Sequence, residues 1–214
     1  MQILRNKLAV PTMVKTNQDP FQTLIITIIS QNTSDTNTGR AFENLSNNFE
    51  ITPQALATAQ TSKIEECLHV GGLYKNKAKT IQTVSKIVLE QLHGSLKSVI
   101  TLPVEEGRKA LMQLPGVGPK TADVVLLFSA GQQTVPIDTH VYRVSKRLGL
   151  APQDSSYEDV RINLQSVFEP KDFLAVHLLL IALGRKYCKA QKPNCTTCVV
   201  KTFCPSNLTG ETHD

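Results

Sequence analysis

The most constraining stretch of this chain is a segment with two glycines and two prolines in close succession, LPGVGPKTAD, at residues 114–123. Pro115 ends the helix before it, because proline cannot continue the helical hydrogen-bond ladder. Gly116 and Gly118 allow a tight turn and a close approach of the backbone to a ligand. Pro119 suits the first position of a new helix. The segment therefore predicts two helices joined by a short turn.

The N-terminus of the helix after this turn contains candidate functional groups. Its residues 124–128 are all apolar, which predicts a buried helix. Backbone N–H groups around Gly116, Val117 and Gly118 would form a phosphate site at its start. Lys120 lies in the first turn, where the positive end of the helix dipole makes a neutral, nucleophilic amine more accessible. A surface lysine would tolerate the same position.

A carboxylate follows in the segment PIDTHVYRV, at residues 136–144. Asp138 precedes a helix expected from 141 to 148, so it could be the N-cap of that helix. A carboxylate near Lys120 could instead accept a proton or stabilise positive charge on a sugar. His140 could support Asp138 or the backbone, and a capping or packing histidine is equally consistent with the sequence.

Four of the five cysteines fall within a short C-terminal segment with the spacing C-x6-C-x2-C-x5-C. They are Cys188, Cys195, Cys198 and Cys204. Such clustering, without a secretory signal, favours a metal site over disulfides. Zinc prefers two close pairs of ligands, whereas unevenly spaced thiolates suit a 4Fe–4S cluster. The spacing favours iron–sulfur and leaves zinc open.

The basic charge of the chain is concentrated near these cysteines. The whole chain has a formal net charge of +5 and a pI of about 9.0, which alone is weak support for a nucleic-acid partner. Residues 181–204 contain five basic residues and no acidic one. No apolar run is long enough to cross a membrane, and the N-terminus lacks the apolar length of a signal peptide. We therefore expect a cytoplasmic, nucleoid-associated protein without membrane contact.

Taken together, LPGVGPKTADVVL, PIDTHVYRV and the four cysteines resemble the endonuclease III family of helix-hairpin-helix DNA glycosylases, in an order that covers nearly the whole chain. The resemblance implies that Lys120 is the nucleophile, that Asp138 assists it, and that the four cysteines bind a 4Fe–4S cluster. Monofunctional relatives carry another residue at the lysine position, so Lys120 favours the bifunctional type. The cluster would shape a loop that presents Lys189 and Lys192 to DNA phosphates.

Two loops gain a possible role from the same resemblance. Gln31 lies in the polar stretch SQNTSD, which by itself predicts a solvated turn; the family resemblance makes it a candidate for filling the gap left by an extruded base. Leu73 lies in GGLY, where ordinary packing is the simpler interpretation, and the resemblance suggests a wedge between bases. Lys75, Lys77 and Lys79 could then contact phosphates.

The periodicity predicts an all-α protein of two helical domains, because no stretch alternates with a period of two. We expect a helical barrel domain at 20–131 that contains the helix-hairpin-helix, and an iron–sulfur domain of 1–19 plus 132–214. Helices that are apolar on every side, near Val124 and Leu179, should centre the two cores. The DNA cleft would lie between the domains. The basic lead-in at the N-terminus gives no clear placement.

The expected function is that of a monomeric bifunctional DNA glycosylase/AP lyase of base excision repair. It would act on double-stranded DNA with a damaged base or abasic site, remove oxidised pyrimidines and cleave the strand by β-elimination through a lysine Schiff base. Two rival hypotheses remain at this point. The enzyme could prefer a mismatch or an oxidised purine, or the turn and metal could form a non-catalytic DNA-binding module.

Overall fold

The computed structural model describes residues 1–8 and 18–208. Residues 18–132 form one compact unit, here called the hairpin unit, and residues 1–8 with 133–208 form the other, the cysteine unit. The division falls one residue after the boundary expected at 131. The described residues contain helices and loops and no strand, which confirms the all-α prediction.

The hairpin unit contains eight α-helices, numbered in chain order after α1 of the cysteine unit, and one 3₁₀ turn, His69–Gly71. They are α2 (Pro20–Ser30), α3 (Asp35–Asn48), α4 (Pro53–Thr58), α5 (Thr61–Leu68), α6 (Tyr74–Gln91), α7 (Lys97–Ile100), α8 (Val104–Met112) and α9 (Pro119–Ala130). Helix α9 packs against α2 and α8, while α4 and α5 pack against α6. Ala122, Val125 and Leu126 of α9 are fully buried, so this helix centres the core as predicted.

Local capping explains where several of these helices begin. Asp19 accepts a hydrogen bond from the Gln22 backbone N–H at 2.8 Å, and Pro20 follows as the first helical residue of α2. Ser34 caps α3 in the same way, with the Asn37 N–H as donor. Pro119 is the first residue of α9, with Gly118 as its N-cap. These are short-range interactions, and the sequence located the start of α9 from one of them, the proline at 119.

The cysteine unit is built around α12. Its helices are α1 (Gln2–Lys7), α10 (Thr139–Arg147), α11 (Tyr157–Val167), α12 (Phe173–Lys186) and α13 (Pro205–Leu208). Val176, Leu179 and Leu183 of α12 are buried, and α10 packs along it. Helix α1, which the sequence did not place, also contacts α12 and buries Leu4. The rest of the N-terminal lead-in, residues 9–17, lies outside the described residues.

Helices α8 and α9 are joined by a buried ion pair that the sequence gave no reason to expect. The Arg108 Nε donates to Oδ1 of Asp123 at 2.8 Å, and the two side chains are 4% and 0% exposed. The same guanidinium donates to the exposed Glu105 at 2.9 Å. The pair fixes the two helices on either side of the glycine turn.

No helix in the described residues is long and apolar enough to cross a membrane.

We predict that Asp123→Ala destabilises the protein by about 3–5 kcal/mol, because it removes the buried carboxylate partner of the buried Arg108 guanidinium and leaves the exposed Glu105 in its place. The matched control is Arg5→Ala, which breaks the exposed pair between Arg5 and Asp172 and should cost less than about 1 kcal/mol. The shift in the denaturation midpoint, followed by circular dichroism, measures both. Equal losses in the two variants would contradict the importance assigned to the buried pair.

Candidate functional site

The turn between α8 and α9 depends on the left-handed backbone of Gly116. Its φ is +74°, and a Cβ at this position would lie 2.7 Å from Cγ2 of Thr80 on α6. An L-residue would therefore be strained both in its backbone and against α6. The Val117 N–H donates to the Leu114 carbonyl at 3.1 Å, and the Val117 side chain is buried in the core. The turn thus lies directly against α6.

Gly118 differs from Gly116 because nothing inside the protein requires a glycine there. Its φ is −94°, which any residue can adopt, and a Cβ would meet no atom within 4 Å. Among the described residues, the N–H groups of Gly116 and Gly118 donate to no protein acceptor, whereas that of Val117 is used in the turn. Unbonded N–H groups at a helix N-terminus, beside a glycine with open space at its Cβ position, fit an approaching anion.

Lys120 and Asp138 lie on different units, each at the start of a helix. Lys120 is the second residue of α9 in the hairpin unit and is half-buried. Asp138 is the N-cap of α10 in the cysteine unit, where its Oδ1 accepts a hydrogen bond from the Val141 N–H at 2.7 Å. The capping interpretation of Asp138 is therefore confirmed, and its assignment to catalysis stays a prediction.

Gln31 contacts the glycine turn directly. The residue follows the last residue of α2, and its Nε2 donates to the Gly116 carbonyl at 2.9 Å. The sequence predicted a polar turn here, and the chain does turn before α3 begins at Asp35. The contact with Gly116 joins residues 85 positions apart, so no local pattern could indicate it.

Leu73 is an exposed apolar residue in a strained conformation. It has a φ of +48° and is 58% exposed, directly after Gly72, which also has a positive φ. A bulky residue is rare in the left-handed region, and such strain persists only where the surrounding structure imposes it. Ordinary packing therefore does not describe Leu73, and its role as a wedge stays a prediction.

The proposed phosphate contact of Lys77 is wrong. The side chain is 5% exposed, and its Nζ donates to the carbonyls of Ile29 and Gly71, each at 2.8 Å. The helical period explains this position, because Lys77 shares the buried face of α6 with Ile81 and Val84. Burial also lowers the pKa of the Lys77 ammonium. The neighbouring Lys75 and Lys79 are exposed, as a phosphate contact would require.

The four clustered cysteines line one small cavity of the cysteine unit. Cys188 follows α12, and the other three lie on or beside two 3₁₀ turns, Cys195–Thr197 and Lys201–Phe203. Burial raises the pKa of the Cys195 thiol, and the nearby Cys188 and Cys204 raise it further. The four sulfurs therefore share one environment, while the fifth cysteine, Cys67, is buried on α5.

The arrangement of these thiols bears on which metal they could bind. A single zinc ion draws its thiolates in to about 2.3 Å. In the described part of the chain, no three His, Cys, Asp or Glu side chains lie close enough together to bind one metal ion. The thiols instead stand around the wall of the cavity. A donor set of four separated thiolates fits a four-iron cluster, which takes one thiolate at each iron.

Two arginines of α10 brace the loop that follows the first clustered cysteine. Arg143 Nε donates to the Cys188 carbonyl at 2.9 Å. Arg147 donates to the carbonyls of Lys189 at 2.6 Å and Ala190 at 3.1 Å, and lies 3.5 Å from the Cys188 sulfur. These arginines were missed in the sequence, where their spacing of four residues on a helix was the available signal. They hold the base of the loop, in which Lys189 is exposed.

Lys192 lies further along the same loop. It is exposed and has a left-handed backbone, with a φ of +48°. The loop is closed at its neck, because the Tyr187 carbonyl accepts hydrogen bonds from the N–H groups of Lys189 and Asn194, both at 2.9 Å. Lys189 and Lys192 are therefore exposed cations on a braced loop.

The segment before Asp138 is held by two side chains that sequence reasoning also missed. His177 of α12 is buried, and its Nδ1 donates to the Pro136 carbonyl at 2.8 Å. The Tyr157 hydroxyl accepts from the Ile137 N–H at 3.2 Å. His140 packs against Gly184 of α12, where a Cβ on the glycine would lie 2.9 Å from the histidine Cβ, and its Nδ1 lies 3.1 Å from a terminal nitrogen of Arg143. The packing interpretation of His140 is confirmed, and its support of Asp138 or the backbone stays a prediction.

Comparison with known proteins agrees with these features. The profile of the HhH-GPD superfamily of base excision DNA repair proteins matches residues 25–170. Endonuclease III of Sulfolobus acidocaldarius is 37% identical over 185 residues, which cover 86% of this chain and 81% of that protein. Endonuclease III of Escherichia coli K12 is 34% identical over 196 residues, covering 91% of this chain and 87% of that protein.

A solved structure shows the same similarity in three dimensions. Endonuclease III trapped as a covalent intermediate with DNA superposes with a TM-score of 0.82 at 29% identity, covering 98% of this chain and 93% of that one. The family match and this structural similarity place the chain in the class of base excision repair DNA glycosylases. Within that class, this chain belongs to the endonuclease III family of DNA glycosylase/AP lyases, which confirms the resemblance.

We predict opposite effects for alanine at the two glycines of the turn. Gly116→Ala should destabilise the protein by about 1–2 kcal/mol or more, because a left-handed Cβ is unfavourable and also meets Thr80. Gly118→Ala should be neutral or stabilising by up to about 1 kcal/mol, because its conformation suits any residue. Denaturation midpoints measure both. A comparable loss in Gly118→Ala would show that this glycine has a structural role.

Proposed function

We propose that this protein is a bifunctional DNA glycosylase/AP lyase that removes oxidised pyrimidines from duplex DNA through a Schiff base on Lys120. The observation that carries the proposal is the position of Lys120 in the first turn of α9, immediately after a turn with unbonded glycine N–H groups. A nucleophilic amine and an anion site are thereby adjacent in the chain. This combination suits attack on a sugar whose phosphate is held in place.

The N–H groups of Gly116 and Gly118 would bind a phosphate of the damaged strand. A phosphate at this point gains from the positive end of the α9 dipole and from backbone donors that have no other acceptor. Gly118 has open space where a side chain would otherwise stand. Because the Val117 N–H is used within the turn, the contribution proposed for Val117 is its buried side chain, which anchors the turn.

The chemistry then follows from Lys120 and Asp138. The neutral amine of Lys120 attacks C1′ of the extruded nucleotide, and the base leaves with the electron pair of the glycosidic bond. Asp138 accepts the proton released by the attacking nitrogen and stabilises positive charge on the sugar. Opening of the sugar ring gives a Schiff base, which acidifies the 2′ hydrogen. Loss of that proton expels the 3′ phosphate and cuts the strand, and water then hydrolyses the imine.

Gln31 and Leu73 would occupy the duplex after the damaged nucleotide has left it. Base extrusion costs stacking and pairing energy, which side chains inserted into the gap partly offset. Gln31 is a hydrogen-bonding side chain fixed beside the glycine turn by its bond to Gly116. Leu73 is apolar, exposed and held in a left-handed conformation. The polar side chain of Gln31 suits the position that the base has vacated. The apolar side chain of Leu73 suits insertion between two stacked base pairs.

The four cysteines would hold a 4Fe–4S cluster that stabilises the cysteine unit. When bound, the cluster supplies a rigid cross-link between the end of α12 and the two 3₁₀ turns that carry the thiols. Arg143 and Arg147 already fix the adjoining backbone. The exposed Lys189 and Lys192 would contact phosphates of the bound DNA, which makes binding sensitive to salt.

Borohydride trapping tests the lyase proposal. With a duplex that contains an oxidised pyrimidine, we expect a covalent protein–DNA adduct in the wild type that is absent in Lys120→Gln. Lys109→Gln, an exposed lysine of α8, is the matched control and should form the adduct normally. An adduct yield in Lys120→Gln equal to that of the wild type would overturn the proposal. The absence of an adduct with any lesion or abasic duplex would also overturn it and would favour a DNA-binding module.

Asp138→Asn separates the capping role of this residue from its proposed chemical role. Asparagine is as good an N-cap as aspartate, so the melting temperature should change little. It cannot accept the proton, so single-turnover base release should slow by about 10²- to 10⁴-fold. A variant that melts like the wild type and keeps its rate would exclude Asp138 from proton transfer.

Cys198→Ser tests the cluster, with Cys67→Ser as the matched control. Protein with a 4Fe–4S cluster should be brown and absorb broadly in the visible range, and Cys198→Ser should lose both this absorbance and bound iron. Cys67 lies on α5 of the hairpin unit, so its replacement should leave the iron content unchanged. Stoichiometric zinc without iron in the wild type would contradict the cluster assignment.

A further inference from the structure

Lys77 is a buried cation whose partners are both main-chain carbonyls. Its side chain is 5% exposed, and Nζ donates to the Ile29 and Gly71 carbonyls at 2.8 Å each. Burying an ammonium group is unfavourable, and the lowered pKa of Lys77 reflects this cost. An apolar side chain on this face of α6 would avoid the cost, so the position calls for a reason beyond filling the core.

The two carbonyls belong to the segments that carry Gln31 and Leu73. Ile29 lies in the last turn of α2, where helical carbonyls lack partners in their own helix, and it is two residues before Gln31. Gly71 lies two residues before Leu73. The backbone N–H of Lys77 also donates to the Leu73 carbonyl, at 3.0 Å. A single residue therefore holds the end of α2 and the loop before α6 together.

We propose that Lys77 is a positioning residue that sets the distance between Gln31 and Leu73, so that both side chains enter the same duplex when a nucleotide is extruded. The inference rests on the proposed function of those two residues. Lysine suits the role because its ammonium carries three donors and can reach two carbonyls at once. Its charge also lies at the C-terminal end of α2, where the helix dipole favours a cation.

The other contacts of the two segments explain why this bridge would matter. The Gln31 side chain is already fixed to the glycine turn through the Gly116 carbonyl. Leu73 is 58% exposed, and the residue before it is a glycine with a positive φ, so its loop gains little from side-chain packing. The hydrogen bond from the Lys77 Nζ to the Gly71 carbonyl supplies what packing does not, whereas the backbone N–H bond to Leu73 is the first helical bond of α6.

Fluorescence of an estranged base tests the inference on the full-length protein. The probe is a duplex with a tetrahydrofuran abasic analogue opposite 2-aminopurine, whose fluorescence rises when the base loses its stacking. At saturating protein, we expect Lys77→Met to give a smaller rise than the wild type. On a separate duplex that carries an oxidised pyrimidine, it should slow base release by about 10- to 100-fold. Lys86→Met, an exposed lysine on the same helix, is the matched control and should behave like the wild type.

Borohydride trapping on a single-stranded abasic oligonucleotide measures adduct formation without requiring side chains to be inserted into a duplex. We expect Lys77→Met to form this adduct as well as the wild type, because its effect is confined to duplex distortion. In a Gln31→Ala/Leu73→Ala background, Lys77→Met should cause no further loss of fluorescence or rate, since the side chains it positions are gone. A full additional loss in that background would show a general structural role and overturn the inference.

The outcomes also separate this inference from the proposed function. If Gln31→Ala/Leu73→Ala itself leaves the fluorescence rise intact, the duplex-filling roles fail and the inference fails with them. If that variant loses the rise while Lys77→Met keeps it, only the inference fails. Lys77→Gln, which retains one neutral donor, replaces the methionine variant if the latter does not fold. Failure of both to fold would overturn the inference by showing that the fold itself requires the lysine.

Discussion

The close packing of the Gly116 backbone against α6 is the constraint on which the rest of the candidate site depends. The left-handed glycine brings the turn so near to Thr80 that even a methyl group would not fit without movement. The same residue presents its carbonyl to Gln31, and among the described residues its N–H donates to no acceptor. The path of the turn, the place of Gln31 and the start of the helix that carries Lys120 are therefore set together.

A second feature recurs in both units: side chains on regular helices hold the functional loops by donating to loop carbonyls. Lys77 of α6 does so beside the Leu73 loop, Arg147 of α10 beside the cysteine loop, and His177 of α12 before Asp138. A hydrogen bond to a backbone carbonyl fixes the loop backbone, whatever side chain the loop residue carries. Each loop can therefore present its candidate residue, while the rigid helix beneath it maintains the geometry.

The sequence predicted what depends on local chemistry and missed what depends on distant contacts. Pro119 located the start of α9, and the apolar character of α9 and α12 identified the centres of both cores. The bridge from Lys77 to Ile29 spans 48 positions and the pair of Arg108 with Asp123 spans 15, so neither has a short-range signal. Lys77 nonetheless lies on the apolar face of α6. This helical periodicity was the available signal that its side chain is buried, although the neighbouring lysines are exposed.

Asp138 illustrates why a structural and a chemical interpretation of one residue need not compete. The N-cap bond uses one carboxylate oxygen, Oδ1, and a carboxylate has two oxygens with several acceptor positions. The bond fixes the side-chain torsions of Asp138, and the contacts of Pro136 with His177 and of Ile137 with Tyr157 fix its backbone. A proton acceptor gains from such fixed geometry, because orientation then costs nothing at the moment of reaction. The interaction that begins α10 is therefore also the one that would orient the acid for catalysis.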